Sequence, residues 1–368
     1  MERALHVAGV DVTVAATDDA GKGRREAVPL ATPLQFNGAT RLYFPKQTEF
    51  YKCSFPLSRW VSRNVRAFDV VHVHALFSHT SVAAASAARH QKVPYVVRPL
   101  GVLNRYGMTR RRRILKQISF RFIEGPLLRH AAAMHYTSDQ ERVEAEDAGA
   151  TAPAAVLPIG LDLTLFELLP LPSGFVERWP QAKGREIVLF LSRLDAKKGL
   201  DLLIDALAEL KKRRPAALLV IAGSGDEAFV RMLRERAEKC GVAGDVIWTG
   251  FLEGSAKLAA FAAANAFVLP SYSENFGIAA VEALAAGIPS VLTTGVGISD
   301  AVREAEAALV VAAKPSEIAK ALVRILDDVV LARSLSANGR ALANERYSLN
   351  AMGSGLRRLY EQIVNAER

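Results

Sequence analysis

Two glutamates and a set of backbone amides give the stretch from Pro270 to Pro289 its chemical character. Glu274 lies in a polar, turn-prone segment, and Glu282 follows eight residues later in an Ala- and Leu-rich segment that predicts a helix over 278–286. The first amide groups of such a helix point away from it and can bind an anion or a hydroxyl group. The amides at this position belong to Phe276, Gly277 and Ile278.

Carboxylates beside an anion site indicate a ligand that carries hydroxyl groups as well as negative charge. Two acids would repel a free phosphate, whereas a sugar nucleotide offers its diphosphate to the amides and its hydroxyl groups to the carboxylates. The alternative is that Glu274 only caps the helix and that Glu282 lies on a solvated helix face, since acids at helix starts are common.

Strands and helices alternate regularly through the second half of the chain. This alternation predicts a parallel sheet with helices on both faces, and ligands bind such sheets outside the carboxyl ends of the strands. The predicted strands are 187–191, 217–222, 246–249, 266–269 and 290–293, and the predicted helices are 200–210, 227–239, 255–264 and 278–286.

The predicted strand ends bring two cations and several small residues to one edge of that sheet. Arg193 can place its guanidinium group on two phosphate oxygens, and Lys198 is expected to supply a mobile positive charge. Together they can offset the charge of a diphosphate leaving group. Phe251 is expected to lie against a base, and glycines let the backbone approach a ligand closely. These glycines are Gly223, Gly225 and Gly250.

The first half of the chain is basic. Residues 1–165 hold 22 Lys and Arg against 14 Asp and Glu, a net charge of +8, whereas the rest has a net charge of +1. This asymmetry predicts two domains with different partners. The most basic stretch, 106–130, predicts an amphipathic helix that either binds an anionic membrane surface or packs on the core with a solvated basic face. No nucleic-acid-binding motif accompanies it, so we do not expect a nucleic-acid partner.

The other segments give a coarser prediction. Residues 1–9 predict a helix end and 10–16 a strand, and residues 17–50 are expected to be irregular. A strand over 69–74 ends at His74, and a further strand covers 95–97. The proline-rich residues 163–184 predict an interdomain connection, and residues 316–368 predict two or more helices.

Composition limits the functional classes. The 368 residues are half apolar, which is enough for two or three domains with cores of their own. Cys53 and Cys240 are the only cysteines, so a disulfide framework and a cysteine-rich metal site are excluded. No apolar run approaches the roughly 20 residues of a membrane span, and no signal peptide pattern is present. We expect a cytoplasmic protein, with peripheral contact to the inner face of the membrane through 106–130 as a hypothesis.

With these residues, the sequence resembles the GT-B glycosyltransferases of glycosyltransferase family 4 over nearly its whole length. The resemblance implies an α/β fold of two facing Rossmann-like domains with parallel sheets. The first domain would cover 1–165 and include the last helix, 347–368, which crosses back to it, and the donor-binding second domain would cover 166–346. The motifs that carry the resemblance are Ser192-Arg193-Leu194 with Lys198-Gly199, and Glu274 with Glu282 in the family's Glu-x7-Glu spacing.

The resemblance also implies roles for residues at the sheet edge. Arg193 and Lys198 would hold the diphosphate of a nucleotide-sugar donor, and Glu274 would orient the transferred sugar. The amides of Asn275, Phe276, Gly277 and Ile278 would contact the sugar or its phosphate. The ribose and the base would contact Glu282, Gly250 and Phe251. The family retains the anomeric configuration and needs neither a metal nor a cofactor, and the leaving phosphate helps to deprotonate the acceptor, so no protein nucleophile is expected.

Three features differ from the family pattern. The family's opening strand and Gly-rich loop do not precede the predicted strand 10–16. Arg98 follows the strand 95–97, where many members carry a histidine, and Pro158-Ile159-Gly160 stands in place of the family's Pro-Asn-Gly. His74 occupies a recurrent family position that faces the cleft, and it is either a catalytic residue or a structural histidine at a strand end.

The sequence therefore predicts a retaining hexosyltransferase with a nucleotide-sugar donor and a glycan or lipid-linked glycan acceptor, as in cell-surface polysaccharide synthesis. One alternative is a GT-B sugar-nucleotide epimerase or hydrolase. Such enzymes share the fold but bring further acids and histidines to the cleft, and the second half of this chain has no histidine. The other alternative is a non-catalytic protein that binds the donor without transfer or hydrolysis.

Overall fold

The computed structural model of the chain describes residues 1–103 and 113–367. It divides into two compact units. Unit 1 comprises Met1–Gly160 and Leu349–Arg368, and unit 2 comprises Leu161–Ser348. The last helix of the chain, Leu349–Glu367, thus belongs to the same unit as the first residues.

Unit 1 begins with a small mixed sheet of three strands. These are β1 (Thr13–Thr17), β2 (Leu34–Phe36) and β3 (Ala39–Phe44), in the order β1-β3-β2. β1 and β3 run parallel, and β2 and β3 form an antiparallel pair. The prediction that residues 17–50 are irregular was therefore wrong for β2 and β3. β3 was missed because it has only two large buried side chains, Leu42 and Phe44, in a stretch that is otherwise polar and turn-rich.

A second sheet in unit 1 has four parallel strands in chain order. These are β4 (Val71–His74), β5 (Tyr95–Arg98), β6 (Ala133–Tyr136) and β7 (Ala154–Val156). Val96 on one face of this sheet packs in a cluster with Leu5 of the first helix and Leu356 of the last helix. The helices of unit 1 are Glu2–Val7, Phe55–Asn64, His79–His90, Arg113–Ser119, Gly125–Arg129, Asp139–Asp147 and Leu349–Glu367.

The basic stretch 106–130 is described only from residue 113 onward, and the cluster 110–112 lies outside the described residues. Between the helices Arg113–Ser119 and Gly125–Arg129, a π-helical turn covers Phe120–Glu124. Large apolar side chains in this stretch are exposed to solvent, which does not fit a helix whose apolar face packs on the core. They are Ile114, Leu115, Ile118, Phe122 and Ile123.

Unit 2 is built on a sheet of six parallel strands in the order β10-β9-β8-β11-β12-β13. The five predicted strands are present, and β13 was not predicted because it is a short, half-buried edge strand. β9 is buried along its whole length, as expected of a continuous apolar run covered by helices on both faces. The strands are β8 (Glu186–Leu191), β9 (Ala217–Ala222), β10 (Val246–Gly250), β11 (Ala266–Leu269), β12 (Ser290–Thr293) and β13 (Leu309–Val311).

Residues 163–184 are part of unit 2, so the prediction that they form an interdomain connection was wrong. They contain the helix Ser173–Arg178, in which Phe175 is fully buried and lies against Trp179. The ring of Phe166 packs edge-on against the ring of Phe261, which lies in the helix Gly254–Ala263. These aromatic anchors hold the segment on the unit in spite of its prolines.

The remaining helices of unit 2 cover the two faces of its sheet. They are Leu200–Lys211, Glu227–Lys239, Gly254–Ala263, Ile278–Ala285, Ser299–Glu304, Pro315–Asp327 and Val329–Arg346. No helix in the described parts of the chain combines the length and the apolar character that crossing a bilayer requires.

Candidate functional site

Five loops lie side by side at the carboxyl edge of the unit 2 sheet, after β8, β9, β10, β11 and β12, and we call them the loop rim. Backbone hydrogen bonds join neighbouring loops, so the rim is a connected surface. The amide of Gly223 donates to the carbonyl oxygen of Gly250 (2.8 Å), and the amide of Leu194 donates to that of Ser224 (2.9 Å). The amide of Tyr272 donates to the carbonyl oxygen of Lys197 (2.8 Å), and the amide of Glu274 donates to that of Gly295 (2.8 Å).

Two glycines are required where these loops touch. Gly199 has a φ of +68°, and a Cβ atom at this position would collide with the carbonyl oxygen of Pro270. A Cβ atom at Gly223 would collide with the carbonyl oxygen of Ser192. Any larger residue at either position would push two loops apart, so these glycines fix the shape of the loop rim.

Lys198 and Glu274 form an ion pair in this rim. Lys198 ends the 3₁₀ turn Ala196–Lys198 with 6% of its surface exposed, and its ammonium group directly contacts the Glu274 carboxylate. Burial, followed by the positive charges of Lys197 and Arg193, lowers the pKa of Lys198 to about 8. The Asp195 carboxylate opposes this lowering, because it favours the charged ammonium form. Lys198 is therefore a fixed charge, and the prediction of a mobile one was wrong.

The backbone holds Glu274 from both sides. Its amide donates to the carbonyl oxygen of Gly295 (2.8 Å), and its own carbonyl oxygen accepts from the amide of Gly297 (2.7 Å). The loop after β12 thus positions the acid that follows β11. The alternative in which Glu274 caps the helix is wrong, because the helix Ile278–Ala285 has no side-chain cap.

No side chain caps the start of the helix Ile278–Ala285. Gly277 precedes it in the left-handed region, with φ of +99°. The ring of Phe276 is buried against Tyr347, with 5.6 Å between the ring centroids, so only its backbone can serve a ligand. Asn275 and Ile278 flank these residues, and Ile278 is exposed.

Glu282 lies one turn into the same helix and is paired with Lys257. The Lys257 ammonium donates to the Glu282 carboxylate at 2.8 Å, and the side chains of both residues are mostly buried. The alternative of a solvated helix face is therefore wrong for Glu282. Sequence reasoning missed Lys257, because a lone lysine among alanines on another helix carries no signal of its partner.

Arg193 and Phe251 are both exposed to solvent in the rim. Within the described residues, the Arg193 side chain makes no hydrogen bond or ion pair, and its charge lies close enough to Lys198 to lower that residue's pKa. Phe251 is 69% exposed directly after Gly250, whose φ is +74°. Gly225 is exposed in the loop after β9, where it forms an isolated bridge with Leu194.

His74 is not part of the loop rim, because it ends β4 in unit 1. It lines a cavity of about 740 Å³, which β1 and β4 both border. Within the described residues, β1 and β4 each pair with another strand on one side only. The ring of His74 stacks on His72, with 4.9 Å between centroids. The ring is accessible from the cavity but surrounded by protein, and this desolvation, followed by the charge of Arg98, lowers its pKa to about 4.

The loop rim combines positive charge, negative charge and backbone donors. Two cations, two acids and uncapped amides lie at one sheet edge, which suits a diphosphate together with hydroxyl groups. Within the described parts of the chain, no group of three His, Cys, Asp or Glu side chains is arranged to hold a metal ion.

Solved structures share this fold along most of the chain. The sucrose-phosphate synthase from Thermosynechococcus elongatus matches with a TM-score of 0.77 at 21% identity, over 99% of this chain and 92% of that one. HepE from Anabaena, solved in complex with UDP, matches with a TM-score of 0.74 at 20% identity, over 88% of this chain and 86% of that one. At these identities the likeness shows the fold, which is GT-B.

Curated relatives match a smaller part of the chain. A GDP-mannose-dependent alpha-(1-6)-phosphatidylinositol monomannoside mannosyltransferase from Mycobacterium tuberculosis is 31% identical over 220 residues, which is 57% of each chain. A D-inositol 3-phosphate glycosyltransferase from Corynebacterium jeikeium is 30% identical over 264 residues, covering 67% of this chain and 61% of the relative. The chain thus spans little more than half the length of the curated relatives it matches.

Two family models account for the sequence between them. The model described as glycosyl transferases group 1 matches residues 175–342, which contain the loop rim. The model described as glycosyl transferase 4-like domain matches residues 1–160. The two matches follow the two units, and the chain belongs to the GT-B glycosyltransferases of family 4.

Proposed function

We propose that this protein is a retaining glycosyltransferase that moves a hexose from a nucleoside-diphosphate sugar to a glycan or lipid-linked glycan. The contact between Lys198 and Glu274 carries the proposal. It places a cation suited to a diphosphate and an acid suited to sugar hydroxyl groups at one point of the loop rim. Arg193 beside them supplies a second cation with an exposed guanidinium group.

In the proposed reaction, the bond between the anomeric carbon and the diphosphate oxygen breaks while the acceptor oxygen bonds to the same face of the sugar. The acceptor proton passes to the leaving phosphate. Arg193 and Lys198 stabilise the negative charge that develops on the diphosphate. Glu274 orients the sugar through its hydroxyl groups, and Glu282 receives the ribose. No metal, cofactor or protein nucleophile takes part.

The proposed donor carries a uracil, guanine or adenine base. The relative from Mycobacterium tuberculosis is named as GDP-mannose-dependent, whereas HepE was solved with UDP. Phe251, exposed at the end of β10, is the proposed contact for the base, and stacking on an aromatic ring does not select one base strongly. A panel must therefore include UDP-, GDP- and ADP-sugars.

A membrane-borne acceptor fits the surface of unit 1. Lys116 and Arg121 lie in the stretch 113–130 beside the exposed apolar side chains of Ile114 and Phe122. Apolar side chains that enter the interface and cations that bind anionic lipids are the two contributions to peripheral membrane binding. The proposed location is the cytoplasm, at the inner membrane face.

The test is a transfer assay with radiolabelled nucleotide-sugars and a lipid and glycan extract as acceptor. We expect one donor to yield labelled product, and the Lys198→Met variant to yield almost none. Labelled free sugar without labelled product in the parent would favour a hydrolase. Donor binding without either product would favour the non-catalytic alternative.

A further inference from the structure

Arg98, the last residue of β5, is a buried cation that has no hydrogen-bonding partner among residues 1–103 and 113–367. It is 7% exposed, and its Nε atom is buried with no acceptor. Within the described residues, no hydrogen bond or ion pair involves its guanidinium group. A buried charge without a partner is costly, and a native protein that keeps one usually uses it.

The side chains around Arg98 do not neutralise it. His74 is its register partner on β4, and the pairing of Val96 with Ala133 places His135 beside it on β6. Burial is the main cause that lowers the pKa of His135 to about 3, and the charge of Arg98 contributes to this lowering. Both histidines are therefore neutral at pH 7. His135 already donates from Nε2 to the carbonyl oxygen of Leu157 (2.8 Å), so His74 is the histidine that can hydrogen-bond a ligand.

The nearest carboxylate, Glu141, is occupied by other donors. One of its oxygens accepts from the amide of Gly101 (2.6 Å), and the other accepts from the amide and hydroxyl groups of Thr137 (2.7 Å each). Burial lowers the pKa of Arg98, and the charge of Glu141 opposes this lowering from a distance without forming a salt bridge. A metal cation is disfavoured here, because the guanidinium charge would repel it.

Tyr360 of the last helix closes this group of side chains. Its hydroxyl lies 2.6 Å from Nδ1 of His72, and Nε2 of His72 lies 3.3 Å from Nδ1 of His135. These bonds use the histidine nitrogens that face one another and leave Arg98 outside the network. The site is thus a rigid frame of neutral rings beside the guanidinium group of Arg98.

We propose that unit 1 carries an oxyanion-binding site built on Arg98, with His74 beside it. Its ligand is a group with two adjacent anionic oxygens, a phosphate or a carboxylate, which matches the fork of a guanidinium group. The site goes beyond the proposed function, because it lies in unit 1 and not in the loop rim. If the chain transfers sugars, the oxyanion belongs to the acceptor.

Histidine NMR tests this site separately from the loop rim, since all seven histidines lie in residues 6–135 of unit 1. The protein, labelled at the histidine ring carbons, is titrated with inorganic phosphate, with acetate and with chloride at matched ionic strength. His74 and His135 are assigned by single substitution to Gln. Phosphate bound to the loop rim leaves these signals unchanged.

We expect phosphate or acetate, but not chloride, to shift the signals of His74 and His135 saturably. The variant Arg98→Met should weaken this binding at least about tenfold, whereas Arg66→Met, at an exposed arginine, should leave it unchanged. Arg98→Met should also melt at the same or a higher temperature without ligand, because it removes an unpaired buried charge. Tighter binding of phosphate identifies the ligand group as a phosphate, and tighter binding of acetate identifies it as a carboxylate.

Two results would overturn the proposal. One is that neither phosphate nor acetate shifts the two signals in the parent protein. The other is equal shifts in Arg98→Met and the parent, with a histidine spectrum that shows both to be folded. Neither result depends on whether sugar transfer is observed. The proposed function is tested separately by the transfer assay.

Discussion

The ammonium group of Lys198 and the carboxylate of Glu274 are in direct contact, although the two residues follow different strands of the unit 2 sheet. The contact joins the loop after β8 to the loop after β11. It fixes the cation by burial and pairing. Under the proposed function, the diphosphate of the donor would share Lys198 with Glu274, and the pair is oriented before the donor binds.

Removing either member of this pair should reduce transfer much more than it reduces stability. For Lys198→Met and for Glu274→Gln, we expect kcat to fall about 10²- to 10³-fold, as when a group that stabilises developing charge is lost. Steady-state kinetics with the best donor measures this effect. The control is Lys239→Met at the end of the helix Glu227–Lys239, which should retain parental kcat. Losses of only a few-fold in both variants would contradict the assigned roles.

Donor binding should weaken in alkaline solution. The pKa of Lys198 is lowered to about 8, so raising the pH above this value removes the ammonium charge that binds the diphosphate. We expect the donor dissociation constant, measured by calorimetry, to rise from about pH 8 upward. In Lys198→Arg, which stays charged, the rise should disappear. A parental dissociation constant that is constant to pH 10 would show that this charge does not hold the donor.

Acid should destabilise unit 1 through His135. The buried ring has a pKa lowered to about 3, so the unfolded chain takes up the proton first, and stability falls as the pH drops below about 6.5. His135 should contribute roughly 1.4 kcal/mol per pH unit to this loss. His135→Asn should flatten the dependence of unfolding free energy on pH, and His90→Asn, at an exposed histidine, should not. Equal slopes in the two variants would exclude His135 as the cause.

The exposed apolar side chains of 113–130 should drive membrane binding. We expect Phe122→Ser to reduce co-sedimentation with vesicles that contain phosphatidylserine, because Phe122 is 69% exposed beside basic residues. Leu168→Ser is the matched control, since Leu168 is 88% exposed but lies in unit 2. Binding to neutral phosphatidylcholine vesicles should be weaker throughout. Equal sedimentation of both variants and the parent would remove the membrane hypothesis.

The sequence predicted the sheet of unit 2 because its strands are short apolar runs between clear helix signals. The helix predicted over 227–239, for example, spans Glu227–Lys239 in the structure. It also placed Glu274 in a loop and Glu282 on a helix. Local patterns fail where the signal is short, which is why β3, with two large buried side chains, and the three-residue strand β13 were missed.

Pairing between distant residues could not be read from the sequence. Lys257 is 25 residues from Glu282, and Lys198 is 76 residues from Glu274, so only the folded sheet shows that each acid has a cation. The same holds for Arg98, whose missing partner becomes visible only when its neighbours on β4 and β6 are known. The prediction for the proline-rich residues 163–184 was wrong for a related reason. The burial of Phe175 holds this segment on unit 2 in spite of its local turn signals.

The most direct measurement is calorimetric binding of UDP-, GDP- and ADP-sugars to the parent, to Glu282→Ala and to Lys257→Met. The proposed function predicts that one nucleotide binds the parent, and that Glu282→Ala weakens it by about 1 to 3 kcal/mol through lost ribose hydrogen bonds. Lys257→Met should have a smaller effect, because it removes the partner of the acid and not the acid itself. If no donor binds a parent protein that unfolds cooperatively, or if Glu282→Ala binds as tightly as the parent, the loop rim is not a nucleotide-sugar site.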